Sequence, residues 1–261
     1  MTKSLLDKRA MVLGVSSEHG MGYAIARQMI GAGASVMIAG RDLEKTRPLA
    51  DSLGAEAACC DIRESDQLQS LADSAINGLG GLDIAVNCTG VPAPSSIARA
   101  SEQEVRTAAE VMLLGTFFFL QKMAAAIGEN GSIITLSSIT ASKAMTGNAA
   151  YTSAKAGADH LVRSAAVEFG PKQIRVNSVS PGFTDDTPMT REFLQVPGMR
   201  ETFEKEIPLG RLNTPRDVAN TVCWLCGDEA FLTGQNLQVN GGNDLLRMPT
   251  SGELAALYKR D

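Results

Sequence analysis

Tyr151 and Lys155 stand four positions apart in "NAAYTSAKAGADHLVRSAAVEFG", a run whose periodicity predicts a helix. On a helix, positions i and i+4 share one face, so a phenol and an ammonium come side by side. A phenol titrating near its ordinary value of about 10 is a poor base at neutral pH. A neighbouring ammonium stabilises the phenolate and lowers that value. Tyr151 could then give a proton to a carbonyl oxygen, or take one from an alcohol, as hydride moves. Ser138 closes the predicted strand "GSIITLSS", and its hydroxyl could hydrogen-bond the same oxygen. An isolated Tyr-x-x-x-Lys is a common surface pair, so the weight of this reading rests on what surrounds it.

A second set of residues suits a dinucleotide. The predicted first strand, "RAMVLG", runs into "GVSSEHGMG", which sets Gly14, Gly20 and Gly22 before a predicted helix. A pyrophosphate needs a tight turn and close backbone approach at a helix N-terminus, and glycines permit both. Ser16 and Met21 belong to the same loop. The glycines follow a G-x5-G-x-G spacing rather than G-x-G-x-x-G, so the loop alone is weak evidence; as a bare strand-to-helix connection it would need no ligand. The predicted second strand ends "AGRD". An acidic residue at this tip suits the ribose 2′-OH of NAD, whereas an arginine suits the 2′-phosphate of NADP. Arg41 comes first, which favours NADP(H) over NAD(H), and His19 is a candidate second donor. Asp42 pulls the other way, unless it caps the next helix.

Stepping along the chain, short apolar runs alternate with helical patterns. Strands are expected at "RAMVLG", "SVMIAG", "EAACCD", "LDIAVNC", "GSIITLSS", "IRVNSVSPG" and "QNLQVNGG". Helices are expected between them, one weakened by Pro48 and one long, from 101 to 127. This alternation predicts an α/β fold of the Rossmann type, a doubly wound seven-stranded parallel sheet in three α/β/α layers. No linker or repeat interrupts it, so residues 1–261 are expected to form a single dinucleotide-binding and catalytic domain. The segment 184–208 lacks a strand signal and follows the sixth strand. It reads either as a surface excursion or as a substrate lid, since ligands bind outside such strand ends. Its hydrophobes Phe183, Met189, Phe193, Leu194 and Met199 suit an apolar pocket or packing against the domain.

The ordered set "GVSSEHGMG", "AGRD", Asp61, "NCTG", "LSS" before "YTSAK", "VNSVSPG" and "IPLGRLNTPRDVANTV…LTGQNLQVNGG" resembles the short-chain dehydrogenase/reductase family over nearly the whole chain. The last third looks most like 3-oxoacyl-carrier-protein reductases. The resemblance implies that Ser138, Tyr151 and Lys155 are catalytic, that the substrate is a ketone or secondary alcohol, with an acyl thioester among the candidates, and that the assembly is a homotetramer. It also implies a cofactor held by Gly14, Ser16, Gly20, Met21 and Arg41, by Asp61 and Ile62 near adenine, and by Asn87 and Gly90 near a ribose. Tyr151 and Lys155 also touch the cofactor in this reading, and Pro181, Gly182 and Thr184 surround the nicotinamide amide. Helices at 101–127 and 149–170 could supply the interface.

Three departures from the family pattern stand out. The longer glycine loop looks like that of enoyl-carrier-protein reductases, but those enzymes place their Tyr and Lys further apart, which favours carbonyl chemistry here. Met112 occupies the usual asparagine position, and a thioether is only a weak acceptor. That implies another proton path or slow turnover, unless Met112 simply packs and backbone does the work; a non-catalytic dinucleotide-binding regulator is the extreme form of this alternative. Finally, "PGFTDDTPM" carries one more residue than the family's pattern, which shifts the register of the lid.

Composition bounds the remaining choices. A net charge of -5 and a pI near 5.2 argue against a nucleic-acid or anionic-membrane partner, both of which reward a basic face. No apolar run approaches the roughly 18 residues that span a bilayer. "MTKSLLDKRAMVLG" lacks the apolar core of a signal peptide. Five cysteines, an odd number, show no disulfide framework and suit a reducing cytoplasm. Cys223 and Cys226 form a C-x-x-C on a predicted helix. Packed thiols are the expectation, against metal or redox chemistry, because no second Cys or His pair completes a site; no metal is expected.

Overall fold

In the computed structural model, which describes residues 4–258, the seven strands form one parallel sheet in the order β3-β2-β1-β4-β5-β6-β7. They are β1 (Arg9–Leu13), β2 (Ser35–Gly40), β3 (Glu56–Cys59), β4 (Ile84–Asn87), β5 (Ser132–Leu136), β6 (Arg175–Pro181) and β7 (Asn236–Val239). The order reverses at β1 and β4, where Leu13 is in register with both Ala39 and Asn87. A crevice opens at such a point beyond the carboxyl ends of the strands. The expected α/β class and doubly wound sheet are what the chain adopts. The outermost residues of the expected single domain, 1–3 and 259–261, lie outside the described residues.

Alternation along each strand feeds two apolar layers. Met11 and Leu13 of β1 face one side with Ile133 of β5, while Ala10 and Val12 face the other with Ile134. The first layer is covered by α3 (Ser65–Leu79), by the helix that begins at α4 (Glu102–Ala109) and continues as α5 (Gly115–Ile127), and by α6 (Ala149–Phe169). On the other face, α1 (Met21–Gly31) packs against α9 (Pro215–Cys226), with α2 (Leu43–Leu53) beside them. Each large side chain withdrawn from water here, such as Phe119, Met29 or Ile25, contributes about 1.5–3 kcal/mol.

Four local features differ from expectation or refine it. Pro48 does not break α2. The carbonyl it leaves unmatched lies on an exposed face, and Asp42 caps the helix by accepting from the Lys45 amide at 3.3 Å. The long helix at 101–127 contains one wide π-turn, Glu110–Leu114, between α4 and α5. Thr116 Oγ1 donates to the Met112 carbonyl at 2.8 Å, satisfying an acceptor in that turn. Against the expectation that no apolar run approaches the length that spans a bilayer, the 26 residues of that helix include an 18-residue window of mean hydropathy 1.4, long and apolar enough by length and composition to cross a membrane. Its apolar face is instead spent on the sheet, with Phe119 and Met123 fully buried in the first layer.

The segment 184–208 contains α7 (Arg191–Leu194) and α8 (Met199–Glu204) and has its own small core. Met199, Phe203, Ile207 and Leu212 pack with Leu257 of α10 (Ser251–Leu257), a C-terminal helix that periodicity over so few residues does not reveal. Phe183 stacks on Phe203 at 3.9 Å between ring centroids.

Candidate active site

The β1-to-α1 turn brings backbone where a phosphate would need it. Gly14 has φ +96°, a region that L side chains rarely enter, and a Cβ there would lie 2.8 Å from the Cys88 carbonyl carbon and 2.9 Å from the Thr89 nitrogen. Gly22 lets α1 approach the turn, its Cβ position being 3.0 Å from the Gly14 oxygen. The helix starts at Gly20 with no side-chain cap and no acidic residue in its first turn. Its leading amides and the positive end of its dipole are therefore available to an anion. These features fit a dinucleotide pyrophosphate.

At the tip of β2, Arg41 is exposed, and its guanidinium makes no ion pair or hydrogen bond among the described residues. Asp42 is engaged as the α2 cap and pairs with Lys45 at 3.2 Å, an arrangement that holds its carboxyl below the usual range. The cap accounts for Asp42 without a ribose. His19 is turned elsewhere than the 2′-phosphate role suggested for it. Its Nδ1 sits 2.8 Å from Asp186 of the segment 184–208, and its Nε2 lies 3.5 Å from Glu18. Asp186 has φ +51° and also pairs with Arg191 at 2.7 Å, while Asp185 pairs with Arg200 at 2.6 Å. Within "PGFTDDTPM", Asp186 thus forms a left-handed turn, and the two carboxylates tie the segment 184–208 to itself and to the glycine loop.

Around the crevice, Asp61 is held by Arg63 at 2.6 Å, which keeps its carboxyl low. The Ile62 side chain is buried against Gly115 and can offer a ligand only its main chain. Asn87 Oδ1 accepts from the Thr89 amide at 2.9 Å and its hydroxyl at 2.7 Å, shaping the turn that carries Gly90. Pro181 ends β6 and Gly182 packs against Asn240. The Thr184 hydroxyl folds back onto the Gly182 carbonyl at 3.1 Å, and the residue is buried.

The candidate catalytic groups meet where β5 abuts α6. Ser138 caps a short turn by accepting from the Thr140 amide at 3.2 Å, and its hydroxyl lies 2.9 Å from that of Thr140. Burial pushes the Tyr151 phenol above its ordinary range, and the facing Ser138 hydroxyl partly offsets this. The Lys155 ammonium, almost fully buried, donates to the Leu136 carbonyl at 2.6 Å and to the Thr89 carbonyl at 3.2 Å. Desolvation pushes Lys155 down to about 8. The ammonium thus spends its hydrogen bonds on main-chain carbonyls rather than on the phenol. Met112 is buried among the apolar residues of the first layer, so its side chain packs. Polar contact here runs through its carbonyl, by way of Thr116 Oγ1, to Asn87 Nδ2 at 3.3 Å.

Asp159, a buried carboxylate one helical turn past Lys155, was not among the expected site residues. The same i+4 rule that joins Tyr151 to Lys155 reaches it. Elsewhere, all five cysteines are free thiols, and the buried Cys223 and Cys226 pack in the second layer, with burial pushing the Cys226 thiol up to about 12. No cluster of His, Cys, Asp or Glu suited to a metal occurs among the described residues.

Comparison with known proteins gives a consistent picture. A family model described as enoyl-(acyl carrier protein) reductase matches residues 14–244. The chain is 35% identical over 247 residues to the 7alpha-hydroxysteroid dehydrogenase of Escherichia coli (strain K12), covering 90% of this chain and 93% of that one. It is 30% identical over 253 residues to the 3-oxoacyl-[acyl-carrier-protein] reductase of Aquifex aeolicus (strain VF5), covering 93% and 99%. Among solved structures, a short-chain type dehydrogenase/reductase from Mycobacterium ulcerans superimposes with a TM-score of 0.91 at 30% identity, covering all of this chain and 98% of that one.

Proposed function

Because the chain belongs to the short-chain dehydrogenase/reductase family, whose members are oxidoreductases of carbonyl and CH–OH substrates, we propose that it interconverts a ketone and a secondary alcohol with NADP(H), using Tyr151 as general acid and base. The observation that carries this reading is the junction of β5 and α6, where Ser138 faces the phenol and Lys155 lies one turn along the same helix face. In the reducing direction Tyr151 Oη gives its proton to the substrate oxygen while Ser138 Oγ donates a hydrogen bond to it. The Lys155 charge favours the phenolate left behind. When bound, the nicotinamide supplies or accepts the hydride. Gly14, Ser16, Gly20 and Met21 would hold its pyrophosphate side, Asp61, Ile62, Asn87 and Gly90 its adenosine and ribose, and Pro181, Gly182 and Thr184 its amide.

Arg41 supports NADP(H) over NAD(H), since its unpaired guanidinium suits a 2′-phosphate and Asp42 is occupied as a cap. Arg41→Ala is expected to raise the KM for NADPH on the order of 10–100-fold, the loss of one charge-assisted contact, while leaving that for NADH nearly unchanged. Equal losses with both cofactors would remove Arg41 from this role.

The names of the relatives point to two probes, a 3-oxoacyl thioester and a 7α-hydroxysteroid. Turnover of either, or of a simple ketone, with NADPH is the expected result. Enoyl reduction is the second reading, favoured by the glycine-loop spacing and the description of the matching family model. Activity on an enoyl thioester with none on ketones or alcohols would establish it instead. Tight dinucleotide binding without turnover on any of these would mark a regulator.

The assembly we propose is a homotetramer. Phe117 and Leu114 on the long helix and Val167 on α6 are exposed apolar groups, and a groove between α5 and α6 is lined by Phe117, Leu120, Leu161 and Phe169. Free thiols suit a cytoplasmic setting.

A further inference from the structure

The reaction outlined above makes no use of Asp159, a carboxylate only 7% exposed. It continues the row of Tyr151 and Lys155 along one face of α6. Three successive residues at the end of β5 meet three successive turns of that row. Ser138 faces Tyr151, the Leu136 carbonyl accepts from Lys155 Nζ at 2.6 Å, and Ser137 Oγ donates to Asp159 Oδ2 at 2.8 Å. Asn236 Nδ2 of β7 donates to the same oxygen at 2.5 Å. The second oxygen, Oδ1, is buried with no hydrogen-bond partner among the described residues. Packing alone does not call for such a group, because an apolar residue at this position would avoid the cost of desolvating a carboxylate.

The charges nearby are few. The charges and titratable groups that act on Lys155 are Asp159 on its own helix and Cys88 after β4, with Tyr151 one turn back on the same helix face. Burial keeps both the phenol and the thiol neutral, the latter being pushed up to about 12. Asp159 is faced by Lys155 and by the neutral side chains of Ser137, Ser178 and Asn236. Desolvation raises the carboxyl and lowers the ammonium, and each group restrains the shift of the other.

We propose that Asp159 is a positioning residue, the internal counter-ion that keeps Lys155 charged beside the end of β5. The proposal rests on the oxidoreductase reading for its consequence, since a neutral lysine cannot favour the phenolate of Tyr151. Its sign follows directly. Removing a negative charge lowers the value at which Lys155 loses its proton, so activity that needs the ammonium is lost at a lower pH.

The test is a pH titration of the full chain labelled with ε-13C-lysine, followed by NMR, with the Lys155 resonance identified by its disappearance in Lys155→Met. In Asp159→Asn the midpoint for Lys155 is expected to fall by about 1 pH unit, and Asp159→Glu to recover most of that shift. The alkaline limb of 3-oxoacyl-thioester reduction with NADPH is expected to move down with it. An unmoved midpoint overturns the proposal even if the rate falls, because lost packing would slow turnover without moving a titration. Should Asp159→Asn not fold, Asp159→Ser decides the matter: it removes the same charge with a smaller neutral side chain and is expected to lower the midpoint the same way, and no shift overturns the proposal. The NMR midpoint needs no substrate. If Tyr151→Phe keeps its rate, the functional reading fails while the midpoint still judges Asp159.

Discussion

Replacing Tyr151 by Phe is expected to lower kcat for ketone reduction by about 10³-fold, within the range that a positioned proton donor contributes. The change removes one hydroxyl and keeps the ring, which packs against the first apolar layer, so the fold should persist. Dinucleotide affinity, measured by fluorescence titration with NADPH, is expected to stay within a few-fold of the wild type, because the glycine turn and the β2 tip are untouched. Full activity in this variant would remove Tyr151 from the chemistry. Comparable losses of turnover and of cofactor binding would instead assign it to binding.

Gly14→Ala is expected to be damaging for a different reason. An alanine there keeps a positive φ only with strain, and its Cβ collides with main-chain atoms of Cys88 and Thr89 rather than with a movable side chain. Strain of 1–3 kcal/mol and a comparable overpacking cost together suggest a loss of about 2–5 kcal/mol. For a chain of this size that lowers Tm on the order of 10 °C, readable by calorimetry. The displaced segment also carries the Thr89 carbonyl that accepts from Lys155. A second expected outcome is therefore weaker NADPH binding together with slower turnover in whatever protein remains folded. A variant as stable as the wild type would mean the turn can relax, and the close approach at Gly14 would lose its significance.

Much of the architecture was legible in residue order. Apolar runs such as "SIITL" and "SVMIAG" are buried on both faces of a parallel sheet, so they carry a strong signal, and β5 and β2 lie where those runs are. One cap was legible as well: Asp42 opens α2 with a side-chain hydrogen bond, whereas the cap that Thr214 forms on α9 emerged only from the structure. The π-turn at Glu110–Leu114 was not. It depends on Gly115 fitting against Ile62 and on a hydroxyl from Thr116, contacts between parts of the chain that no local period encodes. The small core of the segment 184–208 was half legible. Its hydrophobes were evident, but their partner, Leu257 of the last helix, is distant in the chain, and Met199 is buried by it while Met189 and Phe193 remain half-exposed.

The same division runs through the candidate site. Helical periodicity by itself determined that Tyr151 and Lys155 share a face, and the strand-glycine-helix order determined a turn able to take a phosphate. Only the tertiary structure decided which partners those groups meet. Lys155 turns to the carbonyls of Leu136 and Thr89, His19 pairs with Asp186 rather than waiting beside Arg41, and Met112 sinks into the core while its carbonyl joins the chain to Asn87. The physical reason is range. Spacing along one helix is set by local backbone geometry, whereas burial and hydrogen bonding across β5, α6 and β7 exist only once the sheet has brought those distant segments together.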